Sequence, residues 1–186
     1  MPRIFSIGHS TRSMDEFVAL LREHGVTVLV DVRRFPGSKR HPHFGADSLA
    51  SAMAEAGIDY VHEPDLGGYR KPRPDSPHTA WRNDGFRGYA DHMDTPAFRA
   101  ALGRLTQRAR ERPTAIMCAE AMPWRCHRQL ISDALTAVDW EVIHILAAGK
   151  AATHRLNPRA RRLEGGRLIY AEPPAEQSDL FGPVES

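Results

Sequence analysis

The sequence predicts an α/β fold, a three-layer sandwich with a mostly parallel sheet of about five strands and helices on both faces. Three observations predict it. Short apolar, β-branched runs alternate along the chain with longer segments of helical periodicity. The clearest run, 26-VTVLVDV-32, is β-branched and apolar save for Thr27 and Asp31, as expected of a parallel strand covered on both faces. A length of 186 residues with 41% hydrophobic content suffices for one domain of ordinary size and a short tail.

The elements follow in order. The run 4-IFSIG-8 reads as a buried strand ending at Gly8. Ser13 is placed to cap a helix, with Glu16 three residues on completing a capping box; Phe17, Leu20 and Leu21 recur at helical spacing and Gly25 closes the segment. After the 26–32 strand come a helix over 46–56, closed by Gly57, and a strand over 58–62. Residues 63–83, rich in proline, glycine and charge, form a long irregular insertion of the kind that serves as a lid, a binding loop or a disordered segment. Helical patterns at 86–94 and 96–110 precede a strand at 113–118, a helix at 124–137 and a strand at 140–146. The expected division is an α/β domain over 1–149, a basic extension over 150–171 packed on it, and a disordered tail over 172–186.

Composition bounds the function only loosely. A formal charge of +2 implies no partner by itself. Positive charge is carried almost wholly by arginine, since lysine occurs only at Lys39, Lys71 and Lys150; coding bias would produce this, and so would a need for forked donors toward phosphate or carboxylate. The N-terminus has neither a long apolar run nor a small-residue cleavage pattern, and no stretch is long enough to span a bilayer. A cytoplasmic protein without a membrane partner is expected. In that setting two cysteines favour free thiols, metal binding or redox chemistry over a structural disulfide.

Open parallel sheets bind ligands outside the carboxyl ends of their strands. Here those ends carry His9 and Ser10, then Asp31 and Arg33, then His62 and Glu63, then Cys118 and Glu120, and finally His144. The segment 118-CAEAMPWRCHR-128 holds both cysteines of the chain. Cys126 and His127 fall in the first turn of the predicted 124–137 helix, where unpaired N–H groups, with Arg125 and Arg128, favour a thiolate. Glu120 suits proton transfer, and His127 titrates near neutrality without help. The bland alternative makes the cysteines packing residues and the arginines braces for the loop. A metal alternative puts zinc or iron on Cys118, Cys126, His127 and His144. A cysteine-phosphatase or rhodanese cradle is a poor match, because the loop contains Pro123 and no glycine.

Around this rim, Asp31 is expected to orient a partner, with a plain ion pair to an arginine as the default. Arg33, Ser38 and Arg128 would meet an anionic group such as phosphate, and Gly67 and Gly68 give backbone mobility beside Tyr69, Arg70, Lys71 and Arg73. Basic residues interleaved with Tyr69 and Trp81 suit a nucleotide or a nucleic-acid strand, or merely solvate the loop.

Taken together, 7-IGHST-11, 31-DVRRFPGS-38, 66-LGG-68, 89-YA-90, 118-CAE-120 and 126-CHR-128, in that order, resemble the family catalogued as domain of unknown function 488. The resemblance runs from residue 3 to about 170. It implies an α/β fold and a shared polar site, and brings no reaction with it.

The C-terminal tail holds 177-QSDLF-181. It resembles the short peptide by which bacterial DNA polymerases and repair proteins bind the DNA sliding clamp, with Leu180 and Phe181 filling an apolar pocket and Gln177 as polar anchor. The alternative is that Leu180 and Phe181 dock on their own domain. The basic stretch over 150–167 fits contact with phosphates equally well as it fits a solvated surface. Three functions follow: an enzyme of DNA maintenance or repair acting on a nucleotide, base or phosphate-containing substrate through Cys118, Glu120, Cys126, His127 and Asp31; a small-molecule thiol or metal enzyme with no DNA link; and a non-catalytic nucleic-acid-binding adaptor.

Overall fold

The structure is a computed structural model that describes residues 1–172. Five strands run parallel: β1 (Arg3–Gly8), β2 (Val28–Asp31), β3 (Asp59–His62), β4 (Thr114–Cys118) and β5 (Glu141–Ala147). A sixth, β6 (Lys150–Thr153), adds antiparallel at the edge, giving the order β3-β2-β4-β1-β5-β6. A small antiparallel pair, β7 (Ala160–Arg162) and β8 (Leu168–Tyr170), follows.

Residues alternate between the two faces of the sheet, and two apolar cores result. On one face Phe5, Ile7, Leu29, Ala115 and Met117 meet Phe17 and Leu21 of helix α1 (Met14–Glu23) and Leu49 and Met53 of α2 (Ala46–Glu55). On the other, Ile4, Val28, Val30, Ile116 and Val142 meet α3 (Asp84–Met93), α4 (Pro96–Glu111) and α5 (Arg128–Ala137). The α/β sandwich with a mostly parallel sheet is therefore the fold.

Local signals explain most boundaries. Ser13 Oγ accepts from the Glu16 N–H at 3.1 Å, and the Asn83 and Thr95 side chains cap α3 and α4 in the same way. Gly25, with φ of +65°, turns the chain out of α1. Two expectations need correction. The last long helix begins at Arg128, not at 124, because Pro123–Arg125 form a 3-10 turn and Cys126 is extended with φ −142° and ψ 172°. The edge strand β6 was not foreseen: its residues, Lys-Ala-Ala-Thr, are exposed and carry no apolar run, and only the turn at Gly149, with φ of +64°, marks it.

The insertion is pinned rather than loose. The Asp91 carboxylate on α3 accepts from the Arg73 N–H and the Ser76 hydroxyl, both at 2.8 Å, and the buried Tyr89 hydroxyl donates to the Leu66 carbonyl. Leu66, His78 and Ala80 are buried. Beyond β5, a polar chain ties the extension to α5. His144 Nε2 donates to His154 Nδ1 at 2.9 Å, His154 Nε2 donates to Asp133 at 2.8 Å, and the Tyr170 hydroxyl donates to the other Asp133 oxygen. No helix among the described residues is long and apolar enough to cross a membrane. The Gln177–Phe181 motif lies outside the described residues.

Candidate functional site

The site forms where the strand order reverses. From β1 the chain leaves toward α1 on one face, and from the neighbouring β4 it leaves toward α5 on the other, so the two loops part and open a crevice. Before parting they are laced together: His9 N–H donates to the Cys118 carbonyl and Ser10 N–H to the Ala119 carbonyl, each at 2.9 Å. Gly8 is obligatory here, because a Cβ at that position would overlap the Glu120 carbonyl. The approach brings His9 against the cysteine loop.

At the base of the crevice lies a buried charge. Arg128, the first residue of α5, is 1% exposed. Its Nε donates to Cys118 Sγ at 2.9 Å, Nη1 to the Ser6 hydroxyl at 2.9 Å, and Nη2 to the Glu120 and Ala121 carbonyls. Among the described residues no carboxylate pairs with it. A guanidinium cannot shed its proton, and burying an unpaired charge is prohibitively costly, so the anion must come from the sulfurs.

Cys118 and Cys126 are free and buried, with their sulfurs 3.0 Å apart. Cys126 Sγ also accepts the Arg128 backbone N–H at 3.4 Å. Burial alone would raise both thiols. For Cys126 the hydrogen bond from Cys118, the Arg128 charge and the Arg128 N–H outweigh burial and lower it from 9.0 to about 6. For Cys118 burial, reinforced by the bond to Cys126, pushes the thiol well up. The two shifts run in opposite directions and put the thiolate character on Cys126, the sulfur that takes the Arg128 backbone N–H, while the guanidinium Nε bonds the neighbouring Cys118.

Above the sulfurs opens a cavity of about 430 Å³. Cys118, Cys126, His127, His9, Glu120 and Ser38 all line it, together with Arg33 and Gly68. Both histidines are neutral there. Burial lowers His9 from 6.5 to about 4 and does the same to His127, so His127 does not titrate near neutrality as its sequence context implied. Backbone carbonyls fix both tautomers, since a carbonyl only accepts. His9 Nδ1–H donates to the Ser10 carbonyl at 2.9 Å, and His127 Nε2–H donates to the Val32 carbonyl at 2.8 Å. His9 Nε2 is thus a bare lone pair, buried and without a partner among the described residues, on the cavity wall. His127 Nδ1 is the other, and a side chain at Gly68 would press on it, with Cβ only 3.1 Å away.

Other expected residues take different places. Asp31 does not line the cavity. It lies fully buried on the opposite face of the sheet, where both its oxygens are bound by Arg33 at 2.7–2.9 Å and one also by the Tyr60 hydroxyl. Its role is to hold Arg33, which also donates to the Phe44 carbonyl. Ser10 turns the backbone with φ of +49° and accepts from His9. Gly67 lets the insertion pass Arg34, since a Cβ there would sit 2.6 Å from the Arg34 Cα.

The proposed metal ligands do not form one site. His144 lies within β5, bonded to His154, rather than at the strand end, and His127 offers Nε2 to Val32. Arg128 puts a cation against the sulfurs, and among the described residues no three His, Cys, Asp or Glu side chains converge as a ligand set. Zinc or iron therefore does not fit these residues as arranged.

Sequence reasoning missed Ser6, the hydroxyl partner of Arg128, and Tyr60. It named Tyr69 but missed its partner at the mouth, Phe35: Phe35, 68% exposed, and Tyr69, 84% exposed, face each other at 6.3 Å while Arg34 lies over the Phe35 ring. Tyr69 holds φ of +59°, a strained value for a tyrosine that keeps its ring outside. The adjacency of Arg34 and Phe35 within 31-DVRRFPGS-38 was the available signal.

No curated protein and no solved structure matches this chain. The family model described as Domain of unknown function DUF488 matches residues 13–135, from the start of α1 into α5, a span that includes Asp31, both cysteines and Arg128 but not His9. The chain belongs to the DUF488 family.

Proposed function

We propose that this protein is an enzyme of DNA maintenance whose Cys126 thiolate acts on a nucleotide or base. The observation that carries the reading is the Cys118–Cys126 pair, its sulfurs 3.0 Å apart and both bonded by Arg128, in the lining of a concave cavity. Its volume falls within the roughly 300–1,000 Å³ of small-molecule sites. The walls supply what a nucleotide needs: Phe35, Tyr69 and Phe86 for a planar ring, Arg34 and Arg125 for a phosphate. His9 Nε2 and His127 Nδ1 accept from N–H or O–H donors such as exocyclic amines. Cys126 serves as nucleophile, Arg128 holds its charge, and the exposed Glu120 at the mouth exchanges protons with the substrate.

The link to DNA rests on 177-QSDLF-181, which recruits the protein to the sliding clamp in the cytoplasm. The basic extension contributes less than its composition promised, because Arg159, Arg162 and Arg167 all bond within the chain.

Two measurements test the reading. Nucleoside monophosphates should slow iodoacetamide alkylation of Cys126 at neutral pH, and purified sliding clamp should bind the intact chain but not the Leu180→Ala, Phe181→Ala variant. Protection without clamp binding would leave a small-molecule thiol enzyme. Clamp binding without protection, with normal cellular phenotypes for Cys126→Ser, would leave an adaptor.

A further inference from the structure

Cys118 supports the Cys126 thiolate but attacks nothing in the chemistry above. It is 2% exposed, its thiol is disfavoured as a thiolate, and it nevertheless lines the cavity beside Cys126. The two sulfurs are 3.0 Å apart, about 1 Å more than the ~2.05 Å of a disulfide, and each belongs to a segment anchored on Arg128. Forming the bond asks for a small closure of one loop and no rearrangement of the sheet.

We propose that Cys118 and Cys126 are a peroxide-reactive pair, with Cys126 the attacking and Cys118 the resolving thiol, which together reduce a hydroperoxide and close to a disulfide. The steps balance. The Cys126 thiolate attacks the distal oxygen of the hydroperoxide, the O–O bond breaks, and the departing alkoxide or hydroxide takes a proton from solvent, leaving Cys126 as a sulfenic acid. Cys118 then attacks the Cys126 sulfur, the S–O bond breaks, and the Cys118 proton leaves with the hydroxide as water. Two thiols and one hydroperoxide give one disulfide, one alcohol or water, and one further water. The sulfurs supply the two electrons.

Burial selects the oxidant. Cys126 is 8% exposed at the cavity floor, which admits a hydroperoxide and hinders a bulky disulfide reagent. Arg128 makes the reaction reversible. Closing the disulfide removes the thiolate beside a buried guanidinium that no carboxylate pairs with among the described residues, so the reduced form is favoured electrostatically and common thiol reductants reopen the bond. The site is silenced by oxidant without over-oxidation of its nucleophile. This inference is independent of what the cavity binds.

The test is intact-protein mass spectrometry of the reduced full chain after one equivalent of hydrogen peroxide. The expected product has lost two hydrogens, yields a Cys118–Cys126 peptide cross-link, and regains both thiols with dithiothreitol. In Cys118→Ser the product should instead carry one oxygen on Cys126, trapped by dimedone. A wild-type chain that gains oxygen without forming the cross-link, or keeps both thiols, overturns the proposal, and needs no variant to fold. A Cys126→Ser chain that gains oxygen on Cys118 at the wild-type rate overturns the assignment of roles.

Discussion

Arg128 is the residue on which the site turns. A helix-start arginine is ordinarily solvated, yet this one is buried among Cys118, Ser6 and two carbonyls. Replacing it with methionine removes a buried cation and obliges Cys126 to take up a proton. Arg128→Met leaves the Ser6 hydroxyl and the Glu120 and Ala121 carbonyls without their donor and should cost about 3 kcal/mol in denaturant unfolding, and Ser6→Ala about 1 kcal/mol. An unchanged midpoint in Arg128→Met would mean the guanidinium is better solvated than its contacts imply. The cysteines and Arg128 stood out in the sequence because they crowd one loop. The burial of Arg128 did not, since nothing in 118-CAEAMPWRCHR-128 distinguishes a solvated arginine from one folded under the helix toward β1. Asp31 likewise looked like a rim residue; the alternation of the strand sends it to the far face, where it meets Arg33 and Tyr60.

At the scale of elements, the insertion and the start of α5 shape the crevice. The insertion carries Gly68 and Tyr69 to the cavity, and the Asp91 carboxylate fixes the segment that follows. Asp91→Ala should raise hydrogen exchange across residues 70–80 while leaving β1 and β4 protected, at a cost of about 2 kcal/mol. Equal exchange in both proteins would show that Leu66 and Ala80 packing alone holds the segment. The capped helices and apolar strands were legible because local chemistry determines them. The 3-10 turn before α5 was not, because Pro123 is compatible with the first turn of a helix as well as with a turn of its own. Neither was β6, whose Ala151 and Ala152 are held by pairing with β5 and not by propensity.

The whole molecule carries its buried ionisable groups in one protonation state, and this sets its response to acid. Burial lowers His9 and His127 from 6.5 to about 4 and His144 to about 3. A histidine whose folded value is depressed takes up its proton more readily when unfolded, so its contribution is full above 6.5 and is lost as pH falls toward those values. Cys126 adds the same sign higher up: its contribution is full above 9.0 and is lost as pH falls through about 6. Stability should therefore decline progressively below pH 9 and steeply between 6.5 and 4, where His92, also lowered by burial, adds to His9, His127 and His144. Urea midpoints across this range check it. A flat profile would contradict the burial of these groups.

The central claim is that the fold keeps a thiolate at the cavity floor as counter-ion to Arg128. Its most direct test is the pH dependence of iodoacetamide alkylation, followed at each cysteine separately in the native protein. Cys126 should react with a midpoint near 6 while Cys118 stays inert throughout. A Cys126 midpoint at the ordinary 9.0, or equal reaction at both cysteines, would contradict the account.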